Sequence, residues 1–240
     1  MHNKKEYNSI IIYQMGKVGS TSIVHALREK KLNPLHLHWI GSKEPIAEFP
    51  TNSLDVYNNI NNNYAIMVIV RDPMARNLSA FFQRIRRWAS KKPEEMTAKE
   101  LQKDFIEKYD VTYPDKWFDK ELKEYFKLDI NKKKFNKDKG YSIYEVETNR
   151  ILLITLEKAR NKLGKAIKDF IGLENVEMQR IGAYEDRKVG ANLKGKYSDM
   201  KKLIYPKEFI EKNYNLKYVK KFYTTKEINL FKSKWRSYDA

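Results

Sequence analysis

The chain has 240 residues, 41% of them hydrophobic and none of them cysteine, and its 48 Lys and Arg against 31 Asp and Glu give a formal charge of +17. That length and apolar content suffice for the core of a single domain spanning 1–240. The missing cysteines exclude a disulfide framework, a thiol nucleophile and cysteine-ligated zinc, and the four histidines show no metal-ligand spacing. A positive field of this size gathers anionic partners such as nucleic acid, an acidic glycan, anionic lipid headgroups or a nucleotide, although lysines spread over most segments also fit ordinary solvated faces.

Met1 to Asn8 is polar and the Ile10–Ile12 run is too short for a signal core or a membrane span, so a cytoplasmic protein is expected. A strand near Ser9–Tyr13 runs into Gln14-Met15-Gly16-Lys17-Val18-Gly19-Ser20-Thr21-Ser22 and then a helix near Thr21–Lys30. Such a strand–loop–helix aims backbone N–H groups and the positive end of the helix dipole at one point, which suits an anion of phosphate size. Gly19 allows close approach, Lys17 supplies a point charge, and Ser20, Thr21 and Ser22 offer hydroxyl donors. Val18 follows the lysine where a nucleotide triphosphatase loop has the magnesium-holding hydroxyl, so a phosphorylated ligand without that metal is expected. A bare structural turn would use the same small residues.

A strand near Pro34–Trp39 follows, with His36 and His38 on one face by alternation and His38 nearer its carboxyl end. An imidazole of ordinary pKa, ~6.5, suits proton removal near neutrality, which makes His38 the candidate base; a structural role fits His36 equally, and His25 in the first helix reads as structural. A polar connection spans Gly41 to Asn63 and includes Glu44, a fallback base. The strand near Tyr64–Arg71 ends Arg71-Asp72-Pro73, and a helix runs from Pro73 to about Trp88, with Asp72 as its cap and with Arg76, Ser79 and Gln83 on one face. Arg71 and Ser79 can then face a ligand at the carboxyl edge of the sheet.

From Lys91 to Lys127 the spacing is helical and charged, reading as a helical insertion. A hairpin starts near Gly140, and the apolar Ile151–Ile154 run reads as a buried strand. A helix over Leu163–Phe170 ends at Gly172, and Lys194 to Trp235 is mainly helical, with Pro206 opening one helix and Thr224 or Thr225 capping another. Alternating strands and helices predict an α/β fold, a central parallel sheet of P-loop nucleotide-binding type flanked by helices, with the insertion and a helical C-terminal part.

The loop at Lys17 to Ser22, taken with Arg71, Asp72, Pro73, Arg76 and Ser79, resembles the sulfotransferase superfamily. A third, weaker likeness runs from Leu156-Glu157-Lys158 to Phe170-Ile171-Gly172-Leu173. Two departures stand out: Gln14-Met15-Gly16 where many relatives have proline before the lysine, and Arg187-Lys188-Val189-Gly190, which only approximates a downstream Arg-Lys-Gly. Trp117 to Glu121, Lys139-Gly140-Tyr141 and Phe222 to Ile228 leading to Lys234-Trp235 resemble a bacterial subgroup described as capsular polysaccharide synthesis proteins.

The resemblance implies 3′-phosphoadenosine 5′-phosphosulfate (PAPS) as sulfuryl donor and adenosine 3′,5′-bisphosphate as product, with no metal. It assigns Lys17, Val18, Gly19, Ser20, Thr21 and Ser22 to the 5′-phosphosulfate and Arg71 and Ser79 to the 3′-phosphate, with Arg187 and Lys188 also binding the nucleotide. Lys17 would be the catalytic cation and His38 the base. The acceptor would be a hydroxyl of a glycan or lipid-linked glycan, with contact to an anionic membrane surface also open. A magnesium-dependent small-molecule kinase and a polyanion- or nucleic-acid-binding module are the competing readings. No segment shows an Arg-rich or repeated aromatic-basic pattern, so nucleic acid is the less expected partner.

Overall fold

Runs of aliphatic and β-branched residues such as Ala65–Val70 and Ile151–Ile154 can be satisfied only by burial on both faces, the situation of an inner strand in a parallel sheet. In the computed structural model, which describes residues 7, 9–40, 63–179 and 191–236, they lie in β3 (Tyr64–Val70) and β5 (Asn149–Thr155), joined by β1 (Ser9–Tyr13), β2 (Leu35–Leu37) and β4 (Tyr141–Val146). The five-stranded sheet has the order β2-β1-β3-β5-β4. All neighbours are parallel except β4, which returns antiparallel to β5 and forms one edge. The molecule is therefore α/β, with a mostly parallel sheet.

Parallel pairing puts the carboxyl ends of β1, β2, β3 and β5 on a single edge. Chain order reverses at β1: β2 pairs on one side, Ile11 opposite Leu35, and β3 on the other, Ile11 opposite Ile66. A crevice outside the carboxyl ends at such a reversal is where open α/β sheets take ligands.

The chain forms two compact units, Met1–Arg71 with Pro114–Ile181, and Asp72–Tyr113 with Gly182–Ala240. The first holds the sheet and α1 (Ser20–Glu29), whose Ile23, Val24, Ala26 and Leu27 are buried. In chain order the helices of the second begin with α2 (Pro73–Gln83), α3 (Ile85–Trp88) and α4 (Ala98–Lys108). From α5 (Tyr113–Trp117) the chain passes through a π-helical segment, Phe118–Lys123, and α6 (Glu124–Phe126). Helix α7 (Leu156–Ile171) buries Ala159, Leu163, Ala166, Ile167 and Phe170 along one stripe and ends on Gly172 at φ 71. Back in the second unit lie α8 (Ala191–Met200), α9 (Lys207–Tyr214), α10 (Lys217–Phe222) and α11 (Thr225–Arg236). Its core packs Phe81 against Phe105, tilted, at 5.2 Å and Phe105 against Phe209, edge to face, at 5.3 Å.

Several expectations are corrected. The helix from Pro73 breaks at Arg84 (φ −124) although its apolar period runs on to Ile85. The helical stretch from Lys91 to Lys127 is not one insertion, because α4 belongs to the second unit and residues from Pro114 to the first. Helix α7 starts seven residues before Leu163, since its stripe extends back to Ala159. Of the two threonines offered as caps, Thr224 is the one used: its N–H and hydroxyl donate to Glu227, and its hydroxyl accepts the Glu227 N–H. The connection at 41–62 lies outside the described residues. Among the described residues no helix is long and apolar enough to cross a membrane.

Candidate active site

Beyond β1 the backbone turns through three left-handed residues, Gly16 at φ 84, Lys17 at φ 64 and Gly19 at φ 77. Two are glycines, for which the region is open; Lys17 holds it against a steric cost of about 1 kcal/mol or more. Gly19 has a second reason to lack a side chain, because a Cβ there would lie 2.7 Å from Leu156 Cδ1. The loop is closed from across the crevice by Arg71, whose Nη1 donates to the Lys17 carbonyl at 3.0 Å. So the two motifs of the first unit meet where the strand order reverses.

Helix α1 then begins without a side-chain cap and without an acidic residue in its first turn. A helix start of that kind suits an anion. Val18 is buried and anchors the loop from beneath, whereas Thr21 is exposed and Ser22 buried. The Ser20 hydroxyl is engaged by His36 Nε2 at 2.9 Å.

Gln14, wholly buried, organises the histidines. Its Oε1 accepts the Gly16 N–H, which turns its amide nitrogen toward His36 Nε2 at 3.0 Å and His38 Nδ1 at 2.9 Å. The two imidazoles lie 5.5 Å apart, as strand alternation required. Burial, with His38 and Arg28 adding to it, pushes the His36 pKa down to about 4, so His36 is neutral near pH 7. His38 Nδ1 also lies 3.0 Å from the Gln14 carbonyl. With its proton on Nδ1 the ring donates to that carbonyl and keeps a lone pair on Nε2; with Nδ1 bare, it accepts from the Gln14 amide. Both neutral tautomers thus have a partner.

Past Leu37 the backbone leaves β1 and is held by side chains, so β2 is shorter than Pro34–Trp39. Trp117 Nε1 donates to the His38 carbonyl at 2.8 Å, and the Ile40 N–H donates to Glu121 Oε2 at 3.2 Å. The same oxygen accepts the Tyr13 hydroxyl. Burial raises the Glu121 pKa against the pull of these two bonds, and burial with Glu121 raises that of Tyr13. Sequence reasoning missed Gln14 and Glu121 as site groups. Glu121 is separated from Tyr13 by 108 positions, and only the Trp117–Glu121 likeness marked its neighbourhood.

In the second unit Asp72 caps α2 through Met74 N–H at 3.2 Å and accepts the Tyr214 hydroxyl at 2.7 Å. Arg76, part of the motif, is buried on internal partners: Asn77 and the Tyr109 hydroxyl, both at 2.9 Å, with the Tyr113 ring 4.8 Å away. Ser79 is buried on α2. His25 is exposed on α1, 3.5 Å from Glu29. Glu44, Arg187 and Lys188 lie outside the described residues.

No curated protein matches the chain. A family model does, over residues 94–224, a stretch that begins beyond the Lys17 loop and Arg71 and includes Glu121. With more than half of its length matched, the chain belongs to the NKWYS family, described as "Putative capsular polysaccharide synthesis protein".

Proposed function

We propose that this protein is a sulfotransferase that moves the sulfuryl group of PAPS to a hydroxyl of a glycan, a capsular polysaccharide or its lipid-linked precursor. The observation that carries the reading is the Arg71 clasp on the Lys17 carbonyl. It ties Arg71 to the backbone of Lys17, three residues ahead of an uncapped helix start, on a loop whose lysine is followed by Val18 instead of a magnesium-holding hydroxyl. Lys17 and the loop N–H groups suit the 5′ end of the nucleotide and Arg71 its 3′-phosphate. Ser79, which the resemblance adds to the 3′ site, lies in the second unit, and the reading stands without it. The family's description supports a polysaccharide acceptor.

The donor supplies an activated sulfuryl group. The acceptor oxygen bonds to sulfur as the bond from sulfur to the 5′-phosphate oxygen breaks, and that oxygen keeps the electron pair. Lys17 stabilises the charge growing there, an interaction stronger in the transition state than in the ground state. The acceptor proton passes to His38 Nε2, with Nδ1–H held by the Gln14 carbonyl.

A thermal shift tests the donor site. Adenosine 3′,5′-bisphosphate should raise the unfolding midpoint in the presence of a chelator, and ATP with magnesium should not. In the same preparation His38→Asn should cut sulfuryl transfer by about 10²–10⁴-fold with nucleotide affinity unchanged. A midpoint raised only by magnesium ATP would assign a kinase. Nucleic-acid affinity with a steep salt slope and no nucleotide response would assign a polyanion-binding module.

A further inference from the structure

Gln14 is wholly buried, so the hydrogens of its side-chain amide need acceptors inside the protein. Which end of the amide is which follows from chemistry. A backbone N–H only donates, so the atom 2.5 Å from the Gly16 nitrogen is the oxygen, Oε1, and the amide nitrogen points the other way. There it meets His36 Nε2 at 3.0 Å and His38 Nδ1 at 2.9 Å, one ring nitrogen for each of its two hydrogens. A ring nitrogen can accept such a hydrogen only when it carries no proton itself.

His36 is neutral near pH 7 and has one ring proton to place. The Ser20 hydroxyl, 2.9 Å from Nε2, can turn to donate or to accept and so fixes nothing. The amide requires Nε2 to be bare, which puts the proton on Nδ1. At His38 two groups of Gln14 compete for Nδ1, the amide nitrogen at 2.9 Å and the main-chain carbonyl at 3.0 Å. A proton on Nδ1 would serve the carbonyl but set N–H against N–H, leaving a buried donor orphaned. A bare Nδ1 satisfies the amide and withholds from the carbonyl only one of the two bonds it can accept. Orphaned buried N–H groups are rarer in proteins than under-satisfied carbonyls, so the amide prevails.

We propose that Gln14 is a positioning residue whose amide holds His38 as the tautomer protonated on Nε2 and His36 as the tautomer protonated on Nδ1. This deepens the transferase reading and rests on it only for what the proton does next. With the amide so placed, His38 presents an N–H at Nε2. Before that nitrogen can take the acceptor proton, its own proton must leave to solvent and another must arrive on Nδ1, where the main-chain carbonyl receives it. The ring stays neutral in the exchange, and the amide has to release it. Because Oε1 is anchored on Gly16, the state of the base is tied to the loop between β1 and α1.

Long-range proton–nitrogen correlation spectra of the full chain, with isotope-labelled histidine, read the position of each ring proton. They are recorded without nucleotide at about pH 9, well above the ordinary histidine pKa of about 6.5, and His36→Gln and His38→Gln assign the signals. In the wild type, His36 Nε2 and His38 Nδ1 should both read as bare. Gln14→Met keeps a side chain of comparable length without a donor. It should move the His38 tautomer ratio about tenfold or more toward Nδ1–H, the scale of a buried donor no longer left unmet. The proposal is overturned if either of those two nitrogens carries the proton in the wild type, a result that needs no variant to fold. An unchanged ratio in folded Gln14→Met overturns it equally. The bisphosphate thermal shift on the same proteins keeps the two readings apart. A nucleotide shift with the opposite tautomers leaves the donor site standing, and the expected tautomers without any nucleotide shift leave the role of Gln14 standing.

Discussion

Lys17 combines a left-handed backbone with a cationic side chain in the candidate site, so its conformational cost is tied to its position there. Two substitutions separate backbone from charge. Lys17→Gly removes the steric cost and Lys17→Ala keeps it, so the glycine variant should be more stable by about 1 kcal/mol, read as unfolding midpoints in urea, while both lose turnover. Equal midpoints would mean that no strain resides at this residue. His36 makes a second prediction. Its folded pKa of about 4 lies below the ordinary 6.5, so between those values the unfolded chain binds more protons and stability falls as pH is lowered. The contribution is fully present above about pH 6.5 and reaches roughly 2–3 kcal/mol. Denaturation series at pH 7 and pH 4.5 should show that loss in the wild type and a smaller one in His36→Gln.

Among the elements, the turn from β1 into α1 is the most exacting. Gly19→Ala meets both the φ of 77 and the Leu156 side chain, and should cost about 1–3 kcal/mol. Only the contact is relieved by shortening the neighbour. In a double-mutant cycle, Gly19→Ala should therefore be less costly in a Leu156→Ala background, yet still costly; strict additivity would rule out the contact. Local pattern made the strands and this turn legible: alternation paired His36 with His38, and Asp72-Pro73 marked the start of α2. Where the chain departs from pattern, legibility ends. The break at Arg84 has no glycine or proline to announce it, and the π-helical Phe118–Lys123 segment has no period of its own. Glu121 and Gln14 were hidden for a different reason. Their roles come from partners distant in sequence or from a buried amide's orientation, neither of which is visible in residue spacing. The meeting of Arg71 with Lys17, by contrast, followed from one parallel sheet, because two strands ending on one edge bring their next residues together.

At the scale of the whole molecule the formal charge of +17 either recruits an anionic partner or keeps the protein dispersed. Co-sedimentation with phosphatidylglycerol vesicles separates these. Binding at low salt that is released near about 1 M NaCl, where the screening length is about 3 Å, is expected for a protein that works at an anionic surface. Failure to bind at low salt would leave the charge to solubility.

The antiparallel strand β4 gives that charge a local use. Among the described residues it is the last strand of the sheet, and the outer flank of such a strand is a row of backbone donors and acceptors able to template another chain. The segment just before it is rich in lysine, with Lys132, Lys133 and Lys134 all exposed. It is tied to the strand, since the Tyr144 hydroxyl donates to the Lys134 carbonyl and the Asn136 N–H to Ser142 Oγ. Two molecules approaching edge to edge would have to bring like charges together before a single intermolecular hydrogen bond could form. An electrostatic fence in the loop that delivers the strand would therefore oppose self-association along this edge.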